Sequence, residues 1–153
     1  MSLISPSDQD TLRTEFAQMT RPVQLLFFTQ ALGCETCLQT RQILDELPPL
    51  SDKISVEEVN FVLEGDKAKR YGIDRVPSVA LAYTDGVGGA EPAGASVDSR
   101  IRFVGTPAGY EFISLVQAVL LAGGRAPQLS PESRRRLAAV NRPVTLQVFT
   151  TPT

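Results

Sequence analysis

Cys34 and Cys37 are the only cysteines of the chain, set in Gly33-Cys34-Glu35-Thr36-Cys37. Two thiols at this spacing can close a small disulfide ring and reopen it. The pair follows the apolar run Leu25-Leu26-Phe27-Phe28 and stands where the pattern predicts a turn into a helix. A helix N-terminus carries partial positive charge and free N–H groups, which favour a thiolate at Cys34. Cys37 is expected one turn further on, on the same face and less exposed. That pairing suits a nucleophile (Cys34) and a resolving thiol (Cys37) for dithiol–disulfide exchange.

Two plainer readings compete. One is half of a zinc site. Structural zinc takes a closed tetrahedral set of N and S ligands, and the chain has no histidine and no further cysteine. The other is a pair of inert buried thiols at helical spacing. Strand before and helix after are the context in which the motif does redox chemistry, and the redox reading is therefore preferred.

Composition narrows the rest. At 153 residues a single domain with a sizeable core is expected. Apolar residues make up 42% and charged residues 21%, ordinary for a globular protein. A net charge of −2 gives no pull toward nucleic acid or an anionic membrane. No apolar run approaches the roughly 20 residues of a membrane span. The N-terminus lacks the basic start and apolar core of a signal peptide. A cytoplasmic location is expected, where such a cysteine pair is more often catalytic than structural. Without histidine there is no Ser-His-Asp or Cys-His nucleophile system and no histidine metal centre.

The elements that must position the cysteines can be read in order. Ser5-Pro6-Ser7-Asp8 starts a helix, with Ser5 as N-cap, and Leu12, Phe16 and Met19 line one face. It should end near Thr20, because Pro22 disfavours helix at Arg21. Residues 23–29 form a strand so apolar that both faces must be covered. The helix after Cys34 should run to about Leu47, with Leu38, Ile43, Leu44 and Leu47 facing the core. Pro48-Pro49 stops it. Residues 54–62 alternate and predict a second strand, parallel to the first across the helical crossover. Residues 65–71 form a short polar helix. Val76-Pro77 leads into a third strand at 79–83, and a proline at the mouth of a strand beside a reactive site is a candidate cis bond; an ordinary trans proline is the alternative. The glycine-rich stretch 85–98 is a long hairpin connection. A fourth strand, 100–104, precedes a helix capped at Thr106-Pro107. Ser130-Pro131 starts a last helix, whose Arg134-Arg135-Arg136 run is a solvated face, and residues 144–150 form another strand.

One internal repeat stands out. Arg21-Pro22-Val23-Gln24-Leu25-Leu26-Phe27-Phe28-Thr29 is echoed by Arg142-Pro143-Val144-Thr145-Leu146-Gln147-Val148-Phe149-Thr150. Each segment follows a Ser-Pro-capped helix. This is the mark of a duplicated unit. It predicts one unit at 1–124, a linker helix and the first strand of a second unit at 125–153, and a natural protein that continues beyond Thr153.

The element order, the Cys34/Cys37 pair and the Val76-Pro77 step resemble a thioredoxin or glutaredoxin fold. Phe103-Val104-Gly105-Thr106-Pro107-Ala108-Gly109-Tyr110-Glu111-Phe112, Leu129-Ser130-Pro131-Glu132-Ser133 and the stretch ending Thr151-Pro152-Thr153 resemble the two-unit, glutaredoxin-like protein disulfide oxidoreductases. In that family Thr-Pro-Thr leads directly into the Cys-Pro-Tyr-Cys motif of the second unit. The resemblance covers most of the chain and is weakest in the glycine-rich loop. It implies an α/β, thioredoxin-like fold: a central mixed four-stranded sheet flanked by helices, with an extra C-terminal helix and strand.

The resemblance further implies that Cys34 attacks and Cys37 resolves, that Pro77 is cis, and that Val76 offers its backbone to a substrate strand. Protein disulfides would be the substrates, and no metal or organic cofactor is needed for the step. A flavin-dependent thioredoxin reductase-type protein is a possible partner. Departures from thioredoxin lie at the site. Gly33 stands where thioredoxin has Trp, Glu35-Thr36 stand where it has Gly-Pro, and Phe28 takes the place of its buried Asp. Glu35 disfavours the neighbouring thiolate. Arg75, expected to face the cysteines, would restore some positive potential. A modest or reducing potential follows. Two other functions fit the same residues: a scaffold or docking unit whose disulfide hardly turns over, and an electron-relay domain of an alkyl hydroperoxide reductase-type system.

Overall fold

The apolar strand of the sequence is the strand β1 (Val23–Thr29), and its side chains divide between two faces. Val23, Leu25 and Phe27 enter one core cluster, and Leu26 and Phe28 enter a second on the opposite side. Successive side chains of a strand point to opposite faces, so an unbroken apolar run needs cover on both. The structure, a computed structural model, describes residues 3–85 and 94–151.

The element order is α1 (Pro6–Phe16), β1, α2 (Cys37–Asp45), a 3₁₀ turn at Pro48–Leu50, β2 (Ile54–Asn60), α3 (Gly65–Arg70), β3 (Ser78–Thr84), β4 (Ser96–Val104), α4 (Tyr110–Ala122) and α5 (Pro131–Ala138). The sheet order is β2-β1-β3-β4. β1 and β2 are parallel, with Val23 opposite Ile54, while β1–β3 and β3–β4 are antiparallel. The mixed four-stranded sheet expected from the sequence is therefore formed. Most of the expected glycine-rich connection, residues 86–93, lies outside the described residues. Among the described residues, no helix is long and apolar enough to cross a membrane.

Helices α1, α2 and α4 cover one face. Phe16, Leu44, Leu115, Val119 and Leu120 pack there with Leu25, Phe27, Val79 and Leu81. The other face is smaller. Ala68 of α3, with Ile73, Val59, Ala80 and Ala82, meets Leu26 and Phe28.

Several expectations are corrected. α1 ends at Phe16, short of Thr20, although Met19 is buried as expected. Leu38 is 71% exposed, because α2 turns Cys37, Thr40, Ile43 and Leu44 inward and Leu38 falls on the opposite side. The N-cap of α4 is Gly109, at φ 58 ψ −128, in place of Thr106. Thr106 hydrogen-bonds Thr40 instead, which leaves it in the loop ahead of the helix.

The helix at Ser130 forms with the expected cap, Ser133 N–H donating to Ser130 Oγ at 3.1 Å, but it buries no residue. The strand expected at 144–150 is not formed. A strand's backbone groups need a neighbouring strand, and this segment joins none of the four. Val148 and Phe149 are 87% and 90% exposed, and Thr150 touches Glu111 of α4.

Candidate functional site: a disulfide at the end of the central strand

β1 ends at Thr29, and the chain turns before α2. The turn is held by Gln30, whose Nε2 donates to the Leu32 carbonyl at 2.8 Å. Gly33 sits at φ +71, in the left-handed region that favours glycine. That backbone requirement explains why a glycine occupies the position before Cys34. Glu35 and Thr36 are exposed. α2 then begins at Cys37, so Cys34 stands just ahead of the helix, in the turn.

Cys34 and Cys37 are joined by a disulfide with Cα atoms 5.5 Å apart. The two sulfurs are placed differently. Cys37 is 6% exposed and belongs to the core cluster, whereas Cys34 is half-buried at its margin. The order of accessibility expected from the sequence holds.

The Val76-Pro77 bond is cis. Pro77 is buried and Val76 is half-buried against both core clusters. Ser78 pairs with Phe28, one residue from the end of β1, so the Val76-Pro77 step lies at the same end of the sheet as the cysteines. The β1–β3 pairing stops there and does not include Val76. Ser78 Oγ donates to the Arg75 carbonyl at 2.8 Å, and Gly105 N–H donates to the Pro77 carbonyl at 2.8 Å, fixing this loop from two sides.

Arg75 is turned to its neighbour. Its Nε and Nη2 donate to the two carboxylate oxygens of Asp74 at 2.8 and 3.0 Å. This fork holds the Asp74 carboxyl below its ordinary range and raises Arg75. The positive charge assigned to the cysteines is thus shared first with Asp74. Phe28, at the place of the buried thioredoxin Asp, is wholly buried, its ring 6.0 Å from that of Tyr71.

Sequence reasoning passed over two hydroxyls. Thr40 is wholly buried on the inner face of α2. Its Oγ1 donates to the Thr36 carbonyl at 2.9 Å and lies 2.8 Å from Thr106 Oγ1. A threonine among the apolar inward positions of a helix was the available signal. Apolar side chains also stand in water in the loops that follow β1 and β2: Leu32 is 85% exposed, Leu63 82% and Val62 70%.

A mixed four-stranded sheet flanked by helices, with a Cys-x-x-Cys disulfide at the end of its central strand, is a thioredoxin-like fold carrying a dithiol–disulfide pair. No family model and no curated protein matches the chain. Among solved structures, it is similar to the NTD_N/C domain of the alkylhydroperoxide reductase AhpF from Enterococcus faecalis, with 30% identity over 91% of this chain and 62% of that one, TM-score 0.76. A second structure of that AhpF subunit matches with 31% identity, 90% and 61% coverage and TM-score 0.74. A protein disulfide oxidoreductase from Aeropyrum pernix shares the fold, at 24% identity, 88% and 54% coverage and TM-score 0.68. The chain therefore spans less than two thirds of each of these relatives.

Proposed function

We propose that this chain exchanges electrons with protein disulfides through Cys34 and Cys37. Cys34 thiolate attacks one sulfur of the substrate disulfide and expels the other as a thiolate. Cys37, once deprotonated, attacks Cys34 Sγ, expels the second substrate thiolate and closes the Cys34–Cys37 disulfide. Two electrons pass to the substrate. With Phe28 in place of a carboxylate, the Cys37 proton leaves to water or to another carboxylate. Run backwards, the same steps oxidise a dithiol.

The observation that carries this reading is the unequal burial of the two sulfurs at one end of the central strand. An accessible sulfur makes the attack on the substrate and a buried one resolves. Val76 and Pro77 would seat a substrate segment, Val76 by its backbone. Gly33, Glu35, Thr36 and Arg75 would tune the pair. The location would be cytoplasmic, with a flavin-dependent reductase as the source of electrons. Residues 1–124 would form one unit, and 125–153 would lead into a second, where 144–150 would take up a strand only once a neighbouring strand is there to pair with it. The test is reduction of insulin disulfides under dithiothreitol. The wild-type chain should accelerate it, and Cys34→Ser should return the rate to background. No acceleration by the wild type would favour a scaffold or docking role.

A second reading is favoured by the similarity to AhpF: an electron relay between a flavoprotein and a peroxidase. Stopped-flow oxidation of the reduced chain by an oxidised peroxiredoxin-type protein tests it. Rapid transfer supports the relay; transfer to insulin alone supports the general exchanger.

A further inference from the structure

The Thr40–Thr106 contact can be given a direction by counting protons. A threonine hydroxyl has one hydrogen. Thr40 Oγ1 donates it to the Thr36 carbonyl, which can only accept. The 2.8 Å contact with Thr106 Oγ1 must then run from Thr106 to Thr40. The Thr36 carbonyl also accepts the Thr40 N–H at 2.9 Å. Thr36 is the residue inside the disulfide ring that immediately precedes Cys37. Thr106 follows Gly105, whose N–H holds the Pro77 carbonyl. A continuous chain of contacts therefore runs from the ring, through two hydroxyls, to the loop beside Val76-Pro77.

We infer that Thr40 and Thr106 are positioning residues that hold the Cys34–Cys37 turn in its ring geometry when the disulfide is open. The inference rests on the exchange reading above. In the oxidised protein the covalent ring keeps the turn in place whether or not the hydroxyls are joined. In the reduced protein that constraint is gone, and the hydroxyl link from Thr106 through Thr40 adds to the Thr40 N–H bond in keeping Cys37 aimed at Cys34. Removing it releases the reduced turn more than the oxidised one. The dithiol then gains freedom, and the effective concentration of Cys37 at Cys34 falls.

The test is the equilibrium of the chain with glutathione, in which two glutathione thiols and the Cys34–Cys37 disulfide exchange with glutathione disulfide and the dithiol. Thr106→Val removes the hydroxyl at nearly constant shape, and Thr106→Ser keeps it. Thr106→Val should shift the equilibrium toward the dithiol by about two- to tenfold, the worth of one neutral hydrogen bond. Thr106→Ser should stay close to wild type. Thermal melting of both redox forms should show the oxidised form losing more than the reduced. An unchanged equilibrium with equal losses in both forms would make the pair merely structural and overturn the inference, as would a shift toward the disulfide. The glutathione equilibrium needs no protein substrate, so an inactive chain in the insulin assay would defeat the exchange reading and leave this measurement standing.

Discussion

Arg21 sits over Tyr83, with its guanidinium carbon 3.6 Å from the ring centroid. The same side chain donates from Nε to the Ala122 carbonyl at 2.7 Å and from Nη1 to Asp85 at 2.7 Å. It thus ties the start of β1 to β3 and to the C-terminal end of α4. The Arg-Pro-Val start of the repeat marks this fastening. Arg21→Ala should lower stability by about 2 kcal/mol, combining a cation–π contact with part-buried charged hydrogen bonds. Arg21→Lys should recover only part, since an ammonium cannot fork and stack together. Urea unfolding of the two variants measures this, and equal midpoints for the Arg21→Lys variant and the wild type would count against the fork.

Gly124 closes α4 in a left-handed turn, at φ +104. Its N–H bonds the Leu121 carbonyl and the Arg125 N–H bonds the Leu120 carbonyl, a Schellman arrangement. A Cβ there would stand 2.2 Å from Thr20 Oγ1. Gly124→Ala should therefore cost about 2 kcal/mol, from conformational strain plus a clash. Calorimetric melting should show the loss, and a melting temperature unchanged from wild type would refute the close approach.

Asp98 and Arg102 form a pH-sensitive fastening within β4. Burial pushes the Asp98 carboxyl up, but the hydrogen bonds from Arg102 (2.6 and 2.8 Å) and from the Arg100 N–H outweigh it, and the net direction is down. A depressed folded-state pKa contributes stability that is full above the unfolded value, about 3.9, and is lost as pH falls through the folded value. Asp98→Asn should cost about 1 kcal/mol at neutral pH, given the partial exposure of the pair. The difference from wild type should shrink as pH falls below the unfolded carboxyl value and through the lowered folded one. A gap in urea midpoint that is independent of pH would exclude the carboxylate as its source.

The unequal placement of the sulfurs makes a kinetic prediction. In the reduced chain, Cys34 should react with iodoacetamide about tenfold faster than Cys37, which is 6% exposed. Cys37→Ser should stall exchange at a mixed disulfide on Cys34, detectable by intact mass. Preferential labelling of Cys37 would reverse the assigned roles.

Much of this was legible from the residues. Val23–Thr29 read as a two-faced strand because every second residue would otherwise lie in water. The Ser5 and Ser130 caps read correctly because a cap is a local hydrogen bond, made within three residues. Leu38 misled because helical spacing fixes which residues share a face but not which face is covered. Residues 144–150 misled for a related reason: their pattern is that of a strand, yet no neighbouring strand among the described residues accepts their backbone bonds.

The sequence by itself determined the chemistry and the local geometry: a lone pair of thiols at ring-closing spacing, a glycine ahead of them, and an apolar strand to carry them. Local spacing suffices for these, since neighbours in the chain cannot drift apart. The tertiary structure alone decided what the pair faces. It buried one sulfur more than the other, brought Val76-Pro77 to the same end of the sheet, and joined Thr40 to Thr106 across 66 positions of chain. Such contacts depend on how β1, β3 and the loop after β4 pack, and a one-dimensional pattern does not contain that packing.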